Sequence, residues 1–188
     1  MRNVYFNGQD WNLVVYFARW VARMLSSHPC FTECLYLWGS AGAGKDALVS
    51  SLVAFLGDGR TEYVNTENGA WLAAATRRDR EAASPKLMAM KGARLLLFSE
   101  VPEHSGLNTS DLRPLTEQMG SMIAGRDNYS GPSPFHPMGA VLSTSNYAAT
   151  VQNTDDPGTE RRLKQWFMSL PTAAEGEKKR AAGEEGEH

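Results

Sequence analysis

Cysteine is nearly absent from this sequence. Cys30 and Cys34 are the only two in 188 residues. Without a second Cys or Cys/His pair they make a poor zinc site, and one pair is too few for a disulfide-built secreted domain. Two reduced thiols are expected. Long apolar runs are missing as well. The most apolar stretch, "WNLVVYFARWVARML", is broken by Arg19 and Arg23 and is too short to span a bilayer. Nothing near Met1 has the composition of a secretory signal. A cytoplasmic or otherwise intracellular protein without a membrane partner is expected. Strong net charge is the third absence: the chain carries 21 acids and 19 Lys and Arg. The tail "EGEKKRAAGEEGEH" takes five of those acids and three of the bases, leaving 16 of each before Glu175. A neutral body sets up no general field for nucleic acid, so such binding needs a local patch.

What is present is enough to build a core. The 42% hydrophobic and 21% charged content is that of a globular domain. No internal repeat is visible. Asp10 suits the cap of a helix from Trp11 to about Ser27, stopped by His28-Pro29. Its polar stripe is Asn12, Arg19, Arg23 and Ser26, and the wide remaining apolar face reads as core. Leu35–Trp38 reads as a strand and Asp46–Leu56 as a helix. Glu62–Val64 reads as a second strand, Pro85 opens a short helix, and "ARLLLFSE" is an apolar strand ending at Glu100. A helix is expected over Asp111–Met119. "SMIAGRDNYSGPSPFHPMGAVLSTSN" reads as a strand, a Gly/Pro/Ser turn region and an apolar strand ending at Asn146, and "LKQWFMSL" as a last strand. Strands alternating with helices imply a layered α/β domain with a mostly parallel sheet. Ligands of such sheets bind at the strands' carboxyl ends, where Gly39, Glu100 and Asn146 all fall.

The stretch "WGSAGAGKDALVSS" sits between the first of these strands and a helix. It follows G-x-x-x-x-G-K-[ST] through Gly39, Gly44 and Lys45, but Asp46 replaces the hydroxyl residue. A phosphate loop needs glycines because its backbone N–H groups must curl around anions in conformations other residues resist. The helix N-terminus and a mobile lysine complete the cradle. Nucleotide binding is favoured over a chance Gly-rich turn because the loop has its strand and its helix. Asp46 leaves two readings open. A carboxylate also ligates Mg²⁺ and suits a helix start, yet it sets a negative charge beside phosphates.

Hydrolysis needs an acid near the metal and the attacking water, a polar sensor for the γ-phosphate and, as a rule, an arginine. Glu100, with Glu103 close behind, Asn146, and Arg161 or Arg162 offer these in order along the chain. Each alone has a plain alternative, Glu100 as a surface acid and Asn146 as a turn former.

With these motifs in place, the stretch from Leu35 to about Leu170 resembles the superfamily 3 helicases, above all the helicase half of viral, phage and plasmid primase-helicases. The resemblance lies in "GSAGAGKD", "KLMAMKGARLLLFSEVPE", "LNTSDLRPLTEQMGSMIAGRDNYSGPSPFHP", "AVLSTSN" and "ERRLKQWF". It implies an AAA-type P-loop ATPase core over 35–172, with a mostly parallel sheet flanked by helices and a pore-type β-hairpin. An N-terminal helical segment would occupy 1–34 and a disordered tail 173–188. By that resemblance Gly39, Ser40, Ala41, Gly42, Ala43, Gly44, Lys45, Asp46 and Ala47 cradle ATP, and Asp46 and Glu100 serve Mg²⁺. Lys45 holds the phosphates, Glu100 serves the water and Asn146 senses the γ-phosphate. Arg161 or Arg162 is a finger given to the next subunit. Arg126, Tyr129 and His136 on the hairpin would grip single-stranded DNA, while Phe135 reads as an ordinary core aromatic. The implied assembly is a homo-oligomeric ring, usually a hexamer, working with a primase or other replication protein, inside a host cell if the source is viral. The hairpin tip "DNYSG" carries no lysine.

Two other functions fit the same letters. One is a nucleotide-dependent assembly module that binds but barely hydrolyses, with Asp46 as its mark. The other is a small P-loop kinase, disfavoured because no segment reads as an acceptor-binding lid.

Overall fold

The computed structural model describes residues 4–6, 11–26, 32–57, 63–73, 85–103, 105–117, 122–126, 131–151 and 157–169. In chain order the elements are β1 (Val4–Phe6), α1 (Trp11–Leu25), β2 (Cys34–Trp38), α2 (Lys45–Phe55) and β3 (Val64–Asn68), then a 3₁₀ turn at Gly69–Leu72 and α3 (Pro85–Met88). They continue with β4 (Leu95–Ser99), β5 (Gly106–Leu107), α4 (Thr109–Leu115), β6 (Ile123–Gly125) and β7 (Ser133–Phe135). The last are β8 (Ala140–Ser145), β9 (Thr150–Val151), α5 (Pro157–Arg162) and β10 (Leu163–Met168). The tail from 173 and the capping position Asp10 lie outside the described residues.

Six strands form one sheet in the order β1-β10-β2-β8-β4-β3, with every pairing parallel. The chain is therefore an α/β protein with a parallel central sheet. Parallel strands covered on both faces are apolar on both, and the side chains divide by parity. Leu35 and Leu37, Leu95 and Leu97, Ala140 and Leu142, and Trp166 and Met168 point to one face. There they pack on Trp20 and Met24 of α1 and Leu52 of α2. Cys34 and Tyr36, Leu96 and Phe98, Val141 and Leu163 point to the other face, covered by Leu72, Leu112, Leu115 and Phe135. Leu96 and Phe98 are wholly buried, so truncating either to Ala removes about 2–5 kcal/mol.

Several boundaries differ from the sequence reading. The N-terminal segment, expected as a helical segment packed on or leading into the core, also supplies β1, which pairs with β10. Residues Val4–Phe6 are too few to show a period; pairing makes them a strand. The second strand runs Val64–Asn68, held in register by β4, while Glu62 of the expected Glu62–Val64 lies outside the described residues. Its "VNTEN" has one aliphatic residue, as an edge strand permits. Helix α4 starts at Thr109, where the Asn108 side chain accepts from the Ser110 amide at 3.0 Å. It ends at Leu115 and not Met119: Pro114 removes one donor, and the Thr116 hydroxyl donates back to Leu112 O at 2.9 Å. Beyond the turn region, β7 pairs antiparallel with β6 to make the expected hairpin arms.

The connections set where a crevice opens on the sheet. From β2 the chain runs through α2 to β3 at one edge, whereas from β8 it runs through β9 and α5 to β10 on the other side of β2. Neighbouring strands β2 and β8 thus send their carboxyl-end loops in opposite directions. A crevice opens at such a switch point.

Candidate functional site

The loop after β2 takes its shape from its glycines. Gly39 has φ 151, and a Cβ there would overlap the main-chain carbonyl of Met168 at the end of β10. Gly44 has φ 89 and is the N-cap of α2, a left-handed position that favours glycine. Ala43 tucks into the core beneath the helix, while Ser40, Ala41 and Gly42 are exposed. Lys45, first residue of α2, is only 7% exposed. Its ammonium donates to Gly39 O at 2.6 Å, Ser40 O at 2.8 Å and Asn146 Oδ1 at 3.2 Å. Burial pushes its pKa below the ordinary lysine value, and the Asp46 charge opposes that shift. Asp46 is exposed in the first turn of α2; Ala47 is exposed one residue further on and is not part of the cleft wall.

These groups border a cleft of about 380 Å³ at the carboxyl ends of β2, β8 and β4. Ala41, Gly42, Lys45 and Asp46 form one wall; Glu100 and Glu103 with their neighbours form a second; Asn146 and Tyr147 form the third. Three of the four expected motifs therefore meet, because β8 lies between β2 and β4 and sets Asn146 between Lys45 and Glu100. Glu100 is exposed and has φ 60, a left-handed conformation that no other non-glycine residue adopts among those described.

Tyr147 is a cleft residue that sequence reasoning missed. Its hydroxyl donates to the Glu103 carboxylate, which raises its pKa above the ordinary 10.0. Ser145 was missed too. It is buried, and its hydroxyl bonds to the loops on both sides of it. The signal for both was their place beside Asn146 at the end of an apolar strand.

The carboxylates of Asp46 and Glu100 share the cleft. No group of three or more His, Cys, Asp or Glu suited to a metal occurs among the described residues. Two carboxylates fit a Mg²⁺ that takes its remaining ligands from phosphates and water, the usual way this ion is held.

Arg161 and Arg162 are not brought to this cleft. They end α5, directly before Leu163, which pairs with Cys34 at the start of β2. A five-residue strand separates them from the loop, about 16 Å at the usual rise. Arg161 is exposed. Arg162 is held inside: its Nη2 lies 4.0 Å from Glu117 Oε1, and its Nε is buried. The hairpin arms also join the sheet at its other end, since β7 leads into the start of β8. Arg126 and His136 are exposed beside the arms, Phe135 is 5% exposed in the core as expected, and Tyr129 lies outside the described residues. No helix among the described residues is long and apolar enough to cross a membrane.

No protein-family model and no curated protein sequence matches this chain.

Proposed function

We propose that this chain is the ATP-hydrolysing motor of a ring-forming DNA helicase of the superfamily 3 type, acting in viral, phage or plasmid DNA replication. The observation that carries the reading is the single cleft at the β2/β8 switch point bordered by Lys45, Asp46, Glu100 and Asn146. An AAA-type ATPase core is the finer fold this supports.

The chain's own groups divide the work by chemistry. Loop N–H groups and the first turn of α2 attract phosphate oxygens, and the Lys45 ammonium, already desolvated, moves from its three oxygen acceptors to the phosphates. Asp46 and Glu100 would hold Mg²⁺, which supplies charge neutralisation at the β- and γ-phosphates. The Glu100 carboxylate orients the attacking water and takes its proton, and the Asn146 amide reads the γ-phosphate. Arg161, exposed and remote from its own cleft, suits a finger offered to the next subunit of a hexameric ring. Arg126, Tyr129 and His136 would meet the backbone and bases of single-stranded DNA in the pore. A primase or another replication protein is the further partner.

Asp46 favours a second reading. Its exposed carboxylate stands on the cleft wall beside the phosphate path, and such a charge fits a module that binds nucleotide to assemble and turns over little. One experiment separates the two: ATP hydrolysis with and without single-stranded DNA, alongside titration of a fluorescent ATP analogue. DNA-stimulated hydrolysis supports the motor, and binding without hydrolysis supports the assembly module. A folded protein that binds no nucleotide overturns both.

A further inference from the structure

The ladder between β4 and β8 runs from Leu95↔Ala140 to Phe98↔Ser143 and then stops. Contact resumes where the Val101 amide donates to Thr144 O at 3.1 Å. Ser143 and Thr144 are consecutive, whereas Phe98 and Val101 have Ser99 and Glu100 between them. The chain leaving β4 therefore takes up an extra residue at the acid, a bulge of the kind that re-aims a side chain at the end of a strand. The bulge carries Glu100 at φ 60. A residue with a Cβ stays in that region only where its surroundings over-determine it.

Two groups close on the bulge. On one side is Gly69, where a Cβ would overlap the backbone of Glu100 and Val101. On the other is the Ser145 hydroxyl, which donates to Val101 O at 2.9 Å and accepts from the Tyr147 amide at 3.1 Å. Ser145 is 4% exposed, so water has little access to replace either bond. One hydroxyl, using its proton and a lone pair, thus fixes the residue after Glu100 and the residue after Asn146.

We propose that Ser145 is a positioning residue that joins the acid loop to the sensor loop, so that Glu100 and Asn146 move as one unit. In the cleft the chain of contacts runs from Lys45 to Asn146 and, through Ser145, to Val101 beside Glu100. A phosphate that draws Lys45 away from Asn146 thereby acts on the acid as well. This role rests on the nucleotide-cleft reading of Glu100 and Asn146, but the bridge itself can be tested without nucleotide.

The test compares the full chain with Ser145→Ala and Ser145→Thr by residue-resolved amide exchange and chemical shifts. In Ser145→Ala the Tyr147 amide should exchange about tenfold faster, the factor a lost hydrogen bond allows. The signals of Glu100 and Val101 should shift along with those of Asn146 and Tyr147. Faster exchange at Tyr147 with Glu100 and Val101 unmoved overturns the coupling. In ATP hydrolysis, Ser145→Ala should lower kcat about tenfold while KM stays within about twofold, and Ser145→Thr should restore kcat. Equal losses in kcat, nucleotide affinity and Tm would show a merely structural serine and overturn the proposal. A wild-type protein that binds no nucleotide removes the functional reading and leaves the shift experiment to decide the bridge. Should Ser145→Ala not fold, Ser145→Cys, similar in size with a weaker donor, gives the same readings.

Discussion

Lys45 Nζ donates to Asn146 Oδ1 at 3.2 Å, a contact between residues 101 positions apart. It ties the glycine loop after β2 to the strand end of β8, and neither residue's local sequence contains the other. The ammonium has two further oxygen acceptors, Gly39 O and Ser40 O.

Removing that cation is the most direct check on the phosphate loop. Lys45→Ala should lower ATP affinity by about 100-fold or more, the scale of charge-assisted hydrogen bonds to phosphate, with the fold retained. Nucleotide titration and circular dichroism measure both. Because burial holds the Lys45 pKa below the ordinary 10.5, the wild-type affinity should fall at a lower alkaline pH than an exposed lysine would give. Unchanged affinity in folded Lys45→Ala would show that the loop does not bind the phosphates.

On the proposed reading, Asp46 is the residue that separates turnover from assembly. Asp46→Thr restores a neutral ligand at the start of α2, and if the carboxylate hinders turnover, hydrolysis should rise and the magnesium requirement fall. If Asp46 is the working ligand, activity should drop. We expect the rise. Steady-state hydrolysis by both proteins across a magnesium titration reads the outcome, and superimposed curves would show that Asp46 does not touch the metal.

Arg161 is expected to act in trans. Hydrolysis should rise more than linearly with protein concentration, and Arg161→Ala should cut it by about 10³-fold while sparing ATP binding. Arg162→Ala should act differently, lowering Tm through loss of its packing beside Glu117. Activity strictly proportional to concentration in a proven monomer would rule out the ring.

Cys34 makes a prediction about alkaline stability. Burial pushes its thiol from the ordinary 9.0 up to about 12, against the opposing effect of the Ser143 hydroxyl. The folded state thus keeps its proton after the unfolded chain has released it. This contribution is fully present below about pH 9 and is lost as pH rises from there toward 12. Urea unfolding between pH 8 and 11 should show declining stability, with a shallower decline in Cys34→Ala. The native thiol should also resist alkylation, measured on its own peptide by mass spectrometry. Rapid labelling of Cys34 in the folded protein would contradict its burial.

How far the sequence carried depended on whether the cause was local. The glycine spacing of Gly39, Gly42 and Gly44 fits the loop because left-handed backbone is a property of single residues, which a sequence shows directly. The apolar runs of β2, β4, β8 and β10 marked strands buried on both faces, since burial writes itself into composition. From these the α/β class, the parallel sheet, and Lys45, Glu100 and Asn146 at strand ends were all legible. What pairing decides was not. Three-residue β1 and polar β3 are strands only because β10 and β4 offer them a ladder. The bulge at Glu100, the two-sided bond of Ser145, the approach of Tyr147 to Glu103 and the exile of Arg161 from its own cleft all depend on strand order. Strand order is settled by which faces bury together across long separations, and no short stretch of residues records it.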